Sequence, residues 1–179
     1  MPNILPRSFF NRSTLLVARS LVGKYVVREN GKGIIAGKII EVEAYVGEQD
    51  KACHASKGRT PRTDVLFGLP GFSYVYLIYG MYHCLNVVTE PEEFPAAVLV
   101  RALEVEGKLI DGPGRICRAF EIDRSLNRID LTSGAQLWFE DRGERVLRGR
   151  LGTFPRIGVQ YAGIWAKKPW RFRLTEKKR

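Results

Sequence analysis

Metal and redox chemistry have little to work with in this chain: two histidines, three cysteines and two methionines among 179 residues. Each histidine stands beside a cysteine, as Cys53-His54 and His83-Cys84. Neighbours on a strand point to opposite faces, whereas zinc ligands usually sit roughly two to five residues apart so that both can turn to one ion. The spacing therefore argues against a metal. It also gives no support to Cys84 and His54 as a nucleophile–base pair. No cofactor motif stands out, and none is expected. No apolar run approaches the roughly 18 residues that a membrane-spanning helix needs, so no membrane partner is expected. The first residues, Met-Pro-Asn-Ile-Leu-Pro-Arg, lack the apolar core of a signal peptide, which predicts an intracellular protein with free thiols. Repeats, low-complexity blocks and linkers are absent too, and 1–179 is expected to be one domain.

What the chain does have is positive charge, +10 in all. Residues 1–141 carry 17 basic and 17 acidic side chains, whereas 142–179 carry 12 basic and two acidic. The whole excess lies in the last stretch and favours a polyanionic partner, nucleic acid above all. That stretch also contains Ile157, Val159, Ile164, Trp165, Trp170, Phe172 and Leu174, so it reads as folded protein, with only 176–179 as a frayed tail.

The pattern along the chain predicts an α+β domain on a curved, mostly antiparallel sheet. Ser13 or Thr14 caps a short helix stopped by Gly23. Strands are expected at 24–28, 34–46, 73–79, 82–89, 96–103, 137–140, 156–161 and 171–174. Gly80-Met81 separates two of them as a protruding hairpin, and Gly112-Pro113-Gly114 opens a helix to about Ile122. Residues 47–70 lack periodicity and are too many for an idle connector, so they read as a functional loop.

Two clusters carry chemistry. In the strand IIEVEAYV, alternation puts Ile40, Val42, Ala44 and Val46 on one face and Glu41, Glu43 and Tyr45 on the other. Carboxylates there are either one wet face of the sheet or a catalytic pair, since an unpaired buried charge is costly. In YVYLIYGMY, four tyrosines within nine residues are either cross-strand packing or stacking surfaces for bases. An aromatic projecting from the hairpin suits a wedge that unstacks a duplex. Lys57, Arg59 and Arg62 punctuate the long loop, and Arg115 stands at a helix start where backbone amides suit a phosphate.

Taken in order, EVEAY, ACHASKGRTPRT, YVYLIYGMYHCLNVV, VLVRALE, GPGRICRAF and RIGVQYAGIWAKKPWRF resemble the alkyladenine DNA glycosylase family, from about residue 8 to residue 174. The resemblance implies a monofunctional enzyme that flips 3-methyladenine, 7-methylguanine or hypoxanthine out of double-stranded DNA and hydrolyses the glycosidic bond. It implies that Glu43 is the general base, with Arg101 and the carbonyl of Ile157 helping to hold the attacking water. It makes Tyr45, His54 and Tyr76 the walls around the flipped base and Asn86 the residue that opposes the amino group of normal guanine. Cys84 and Leu66 line the pocket. Tyr79 is the wedge, beside Met81 and Tyr82, with Arg59, Arg62 and Arg115 toward the backbone. His83 departs from the pattern, where an aromatic is expected. A monomer working on genomic DNA is implied. The competing reading is a binding module without catalysis, in which the tyrosine-rich sheet holds single-stranded nucleic acid. A group-transfer enzyme would need a cofactor site that the sequence does not display.

Overall fold

The computed structural model describes residues 3–147 and 149–175; the tail expected at 176–179 lies outside them. After a short helix, α1 (Arg7–Phe10), comes α2 (Thr14–Leu21), which buries Thr14, Val17, Ala18 and Leu21. Ser13 occupies the N-cap but makes no capping bond with its side chain. Glu90, distant in sequence, does that work: its Oε1 accepts from the Thr14 N–H at 2.7 Å and from the hydroxyl at 2.9 Å. An orphan helical amide needs an acceptor, and tertiary structure supplied one that local sequence did not.

Among the described residues, nine strands follow in one sheet: β1 (Tyr25–Glu29), β2 (Ile34–Val46), β3 (Ser73–Ile78), β4 (Tyr82–Val88), β5 (Ala96–Val105), β6 (Lys108–Asp111), β7 (Leu137–Glu140), β8 (Leu151–Phe154) and β9 (Arg171–Leu174). The order is β3-β4-β5-β2-β1-β7, with β6 on β5 and the β8–β9 pair on β2; every pairing is antiparallel. The helix α3 (Pro113–Ala119) packs on β4 and β5. One core lies between the helices and the sheet, with Phe10, Val17, Leu21, Val42, Val100, Ile116, Phe120, Phe139 and Phe172.

Three expectations are corrected. The pairing of β2 with β5 shifts between Ile39 and Val42, which marks an irregularity of the β-bulge kind. One extra residue there resets the alternation, so Ile39, Val42 and Ala44 share the core where strict period two had put Ile40. Residues 156–161 are not a strand. The Ile157 N–H is spent on a side chain, Gly158 has φ of +75°, and a 3-10 stretch runs over Gln160–Lys167. No ladder can form through such a segment. The first tyrosine-rich strand stops at Ile78, because Tyr79 and Gly80 both have positive φ and form the turn itself. Strands β6 and β8 carried too little alternation to stand out in the sequence.

The 47–70 segment is built as well as long. Its short 3-10 turns, His54–Lys57 and Asp64–Phe67, close a second small core of Cys53, Ala55, Val65, Leu66 and Phe67 against Tyr74, Val88 and Ala97.

Candidate active site

The face of the sheet opposite the main core carries a cavity of about 510 Å³. Period-two alternation decides which side chains meet it: Tyr74, Tyr76 and Ile78 from β3, Tyr82, Cys84 and Asn86 from β4, and Ala97, Leu99 and Arg101 from β5. Their neighbours Val75, Leu85, Val87, Val98 and Val100 go to the core. Tyr45 ends the row on β2, while Cys53, His54 and Leu66 come from the long loop. Ile157 and Tyr161 close one side, and Gly112, Gly114 and Arg115 close the other.

Glu43 is wholly buried beside this cavity. Its Oε2 accepts from the Tyr45 hydroxyl at 2.6 Å, and its Oε1 accepts from the Ile157 N–H at 2.7 Å. The Arg101 Nε lies 3.6 Å from the same Oε1. Burial pushes the Glu43 carboxyl above the usual carboxylate range, opposed by Arg101, Tyr45, Ile157 and Arg156. A carboxylate held this way is a stronger proton acceptor than a surface one. The contact that Ile157 makes with Glu43 is through its N–H, whereas the family resemblance implied a role for its carbonyl.

The aromatic walls touch one another. The rings of His54 and Tyr76 meet edge to face at 4.7 Å between centroids, and His54 Nδ1 is 2.8 Å from the Tyr74 hydroxyl. Burial, with Arg62 and Lys57 nearby, lowers His54 to about 4, so the ring is neutral at physiological pH. The Asn86 amide donates to the Tyr74 carbonyl at 3.1 Å, which fixes its orientation.

At the mouth, Tyr79 is 86% exposed on the hairpin tip, with Met81 also exposed. Tyr82 behaves differently: a Cβ on Gly114 would meet its ring at 2.8 Å, so Tyr82 anchors the hairpin to α3. Arg62 lies over the Tyr76 ring at 5.2 Å, and Arg115 lines the cavity. Arg59 is otherwise engaged, paired with Asp64 at 2.7 Å and Glu93 at 3.0 Å. That makes it a brace of the loop. His83 sits on the side of β4 that Leu77 and Leu85 share, away from the cavity.

Sequence reasoning missed the partners of the buried charges. Asp50 and Arg156 form a fully buried bidentate pair at 2.5 and 2.8 Å. The Arg156 guanidinium lies over the rings of Tyr45 and Trp170. Glu41 is met by Arg101, Arg171 and Arg173. The signal was available: buried carboxylates demand cations, and Arg171-x-Arg173 alternates on a strand. Among the described residues, no group of three or more His, Cys, Asp and Glu side chains is arranged to hold a metal ion.

An aromatic slot over a buried carboxylate and arginine, on a curved antiparallel sheet, defines a class of protein whose pocket has the shape and walls to hold one planar ring. The sequence model of the family described as methylpurine-DNA glycosylase matches residues 8–178. A protein of Methanocella arvoryzae is 51% identical, covering 94% of this chain and 91% of its own length. One of Myxococcus xanthus is 51% identical over 94% and 89%, and one of Legionella pneumophila strain Corby 48% over 96% and 94%. All three are named, provisionally, as 3-methyladenine DNA glycosylases. The chain belongs to the methylpurine-DNA glycosylase family, and so to the DNA glycosylases of DNA repair.

Proposed function

We propose that the whole chain, as one domain, excises 3-methyladenine, 7-methylguanine and hypoxanthine from double-stranded DNA, with Glu43 as the base that activates water. One observation carries this reading: Glu43 is buried, raised in pKa and oriented by Tyr45, Ile157 and Arg101 beside a cavity walled by Tyr45, His54 and Tyr76.

A base inside a duplex is out of reach, so it is extruded into the slot and read by stacking and by its edge. Tyr79 fills the gap that it leaves, while Arg62 and Arg115 face the backbone. Asn86 directs its amide at the edge where guanine carries its extra amino group, so donor meets donor and the normal base is disfavoured. The glycosidic bond breaks through an oxocarbenium-like sugar. The bonding electrons leave with the purine, the water oxygen joins the sugar carbon, and the water proton passes to Glu43. Cationic 3-methyladenine and 7-methylguanine become neutral on departure, whereas hypoxanthine leaves as an anion and takes up a proton from solvent water. No lysine lines the cavity among the described residues, which suits hydrolysis by water over attack by an amine.

The carboxylate must be ionised to accept a proton. Excision should therefore rise with pH through a midpoint above the ordinary Glu range, in the direction of the Glu43 shift. The direct test is Glu43→Gln, which keeps the shape and loses the base. Release of hypoxanthine from a duplex should be abolished while affinity for that duplex stays within about tenfold. Excision near the unsubstituted rate would place the base elsewhere.

A further inference from the structure

Glu41 is 1% exposed, ionisable and unused by the proposed chemistry. It lies two residues before Glu43, where β2 is paired on both edges: Glu41 faces Ala102 of β5 and Arg173 of β9, and Glu43 faces Leu99 and Arg171. Its two oxygens are divided. Oε1 takes the Arg101 Nε at 3.2 Å and the Arg171 Nη1 at 3.4 Å, while Oε2 takes Arg173. Arg173 in turn reaches Asp111 at 3.7 Å. The Arg101 Nε is thus shared by two carboxylates, 3.2 Å from Glu41 and 3.6 Å from Glu43.

A guanidinium is a rigid planar fork with fixed donor directions. Where one of its nitrogens is held at closer range by a second carboxylate, it cannot close fully on the first. We propose that Glu41 is a positioning residue for the reaction: it holds Arg101 between the two carboxylates, so that Arg101 orients Glu43 without quenching it as a base. This rests on Glu43 being that base.

Without the Glu41 charge, two changes act on Glu43 in the same direction. A neighbouring negative charge disappears, and Arg101 and Arg171 are released toward the one remaining carboxylate. The other groups that act on Glu43 stay in place: Tyr45 on its own strand, Arg156 and the Ile157 N–H from the 155–159 segment, Tyr76 on β3 and Cys84 on β4. A more tightly paired Glu43 is ionised at lower pH and accepts a proton less readily. An inert structural role for Glu41 would predict lower stability and no change in this titration.

The experiment is single-turnover excision of hypoxanthine from a duplex as a function of pH, with Glu41→Gln, Glu41→Asp and Arg173→Gln. Melting curves define the range in which each variant is folded. For Glu41→Gln, the rate at neutral pH should fall by about tenfold, the acidic midpoint should move to lower pH, and lesion affinity should stay within a few-fold. Glu41→Asp, which keeps the charge, should recover part of both the rate and the midpoint. Arg173→Gln loosens the same cluster on the oxygen away from Arg101 and should leave the midpoint in place. If Glu41→Gln does not fold, Glu41→Asp carries the test: its shortened side chain should still displace the midpoint downward, by less. An unchanged midpoint in a folded Glu41 variant, or the same displacement in Arg173→Gln, would overturn the proposal. An active Glu43→Gln would instead overturn the assignment of the base, whatever Glu41 does.

Discussion

Tyr79 sits at φ of +53°, beside Gly80 at +66°, and the Met81 N–H closes on the Ile78 carbonyl at 3.2 Å. Two successive left-handed residues match the twist of the flanking strands in a hairpin turn. A glycine suits that conformation, whereas a tyrosine there costs on the order of 1 kcal/mol or more and, exposed, recovers little of it by burial. The ring is best understood by what it meets outside the protein. Under the proposed reading it fills the space of the flipped base, and base–aromatic stacking contributes roughly 1–3 kcal/mol. Tyr79→Ala should weaken flipping in duplex DNA by about ten- to a hundredfold, and far less where the lesion is already unstacked in a bulge. The melting temperature should barely move. Fluorescence of an etheno-modified base and a melting curve check this together; a large loss of stability with unchanged flipping would make Tyr79 structural. That Tyr79 stands at the tip was legible from a tyrosine-glycine pair between two β-rich runs. That it forms part of the turn was not, because few non-glycine residues adopt positive φ.

At the scale of elements, the site depends on two segments without regular ladders, 47–70 and 155–170. They are locked together by Asp50 and Arg156. The Arg156 Nη1 also donates to the Ala44 carbonyl at 2.9 Å and Nη2 to the Trp165 carbonyl at 3.1 Å, which ties both segments to the end of β2. Asp50 in addition caps the turn after that strand, accepting from the Val46 and Ala52 amides at 3.1 Å each. Removing one partner of a fully buried pair leaves an uncompensated charge, at a cost of about 3–5 kcal/mol. Asp50→Ala should therefore lower the unfolding free energy by that order in a denaturant titration. The same variant should lose lesion affinity, since the walls carrying His54 and Ile157 come free of β2. A loss below about 1 kcal/mol would mean that the pair is not the lock. Nothing local announces this contact, because its partners are 106 positions apart.

On the whole molecule, the charge asymmetry proves to have two purposes. Arg142, Arg156, Arg171 and Arg173 of the basic stretch 142–179 are bound to Glu140, Asp50 and Glu41 of the neutral remainder. Part of the excess therefore neutralises buried acids and is not offered to a partner. The molecule as a whole carries a net +10, and DNA binding should weaken steeply with salt. Between about 50 and 200 mM, affinity for damaged and undamaged duplex alike should fall by roughly tenfold or more, because phosphate contacts release counterions whatever the sequence. Fluorescence anisotropy across a salt series measures it, and a flat dependence would show that the remaining charge lies away from the DNA. No helix among the described residues is long and apolar enough to cross a membrane.

The sequence by itself determined the class of fold, the bounds of β2 and β7, and the hairpin. These rest on period-two alternation and turn chemistry, which act between near neighbours. Only the tertiary structure decided the rest. The shift in β2 sets which side of the strand each residue serves, Glu90 caps a helix 76 positions away, and Asp50 and Glu41 find their arginines across the chain. A buried charge or an orphan amide states in sequence only that it needs a partner; packing selects which one.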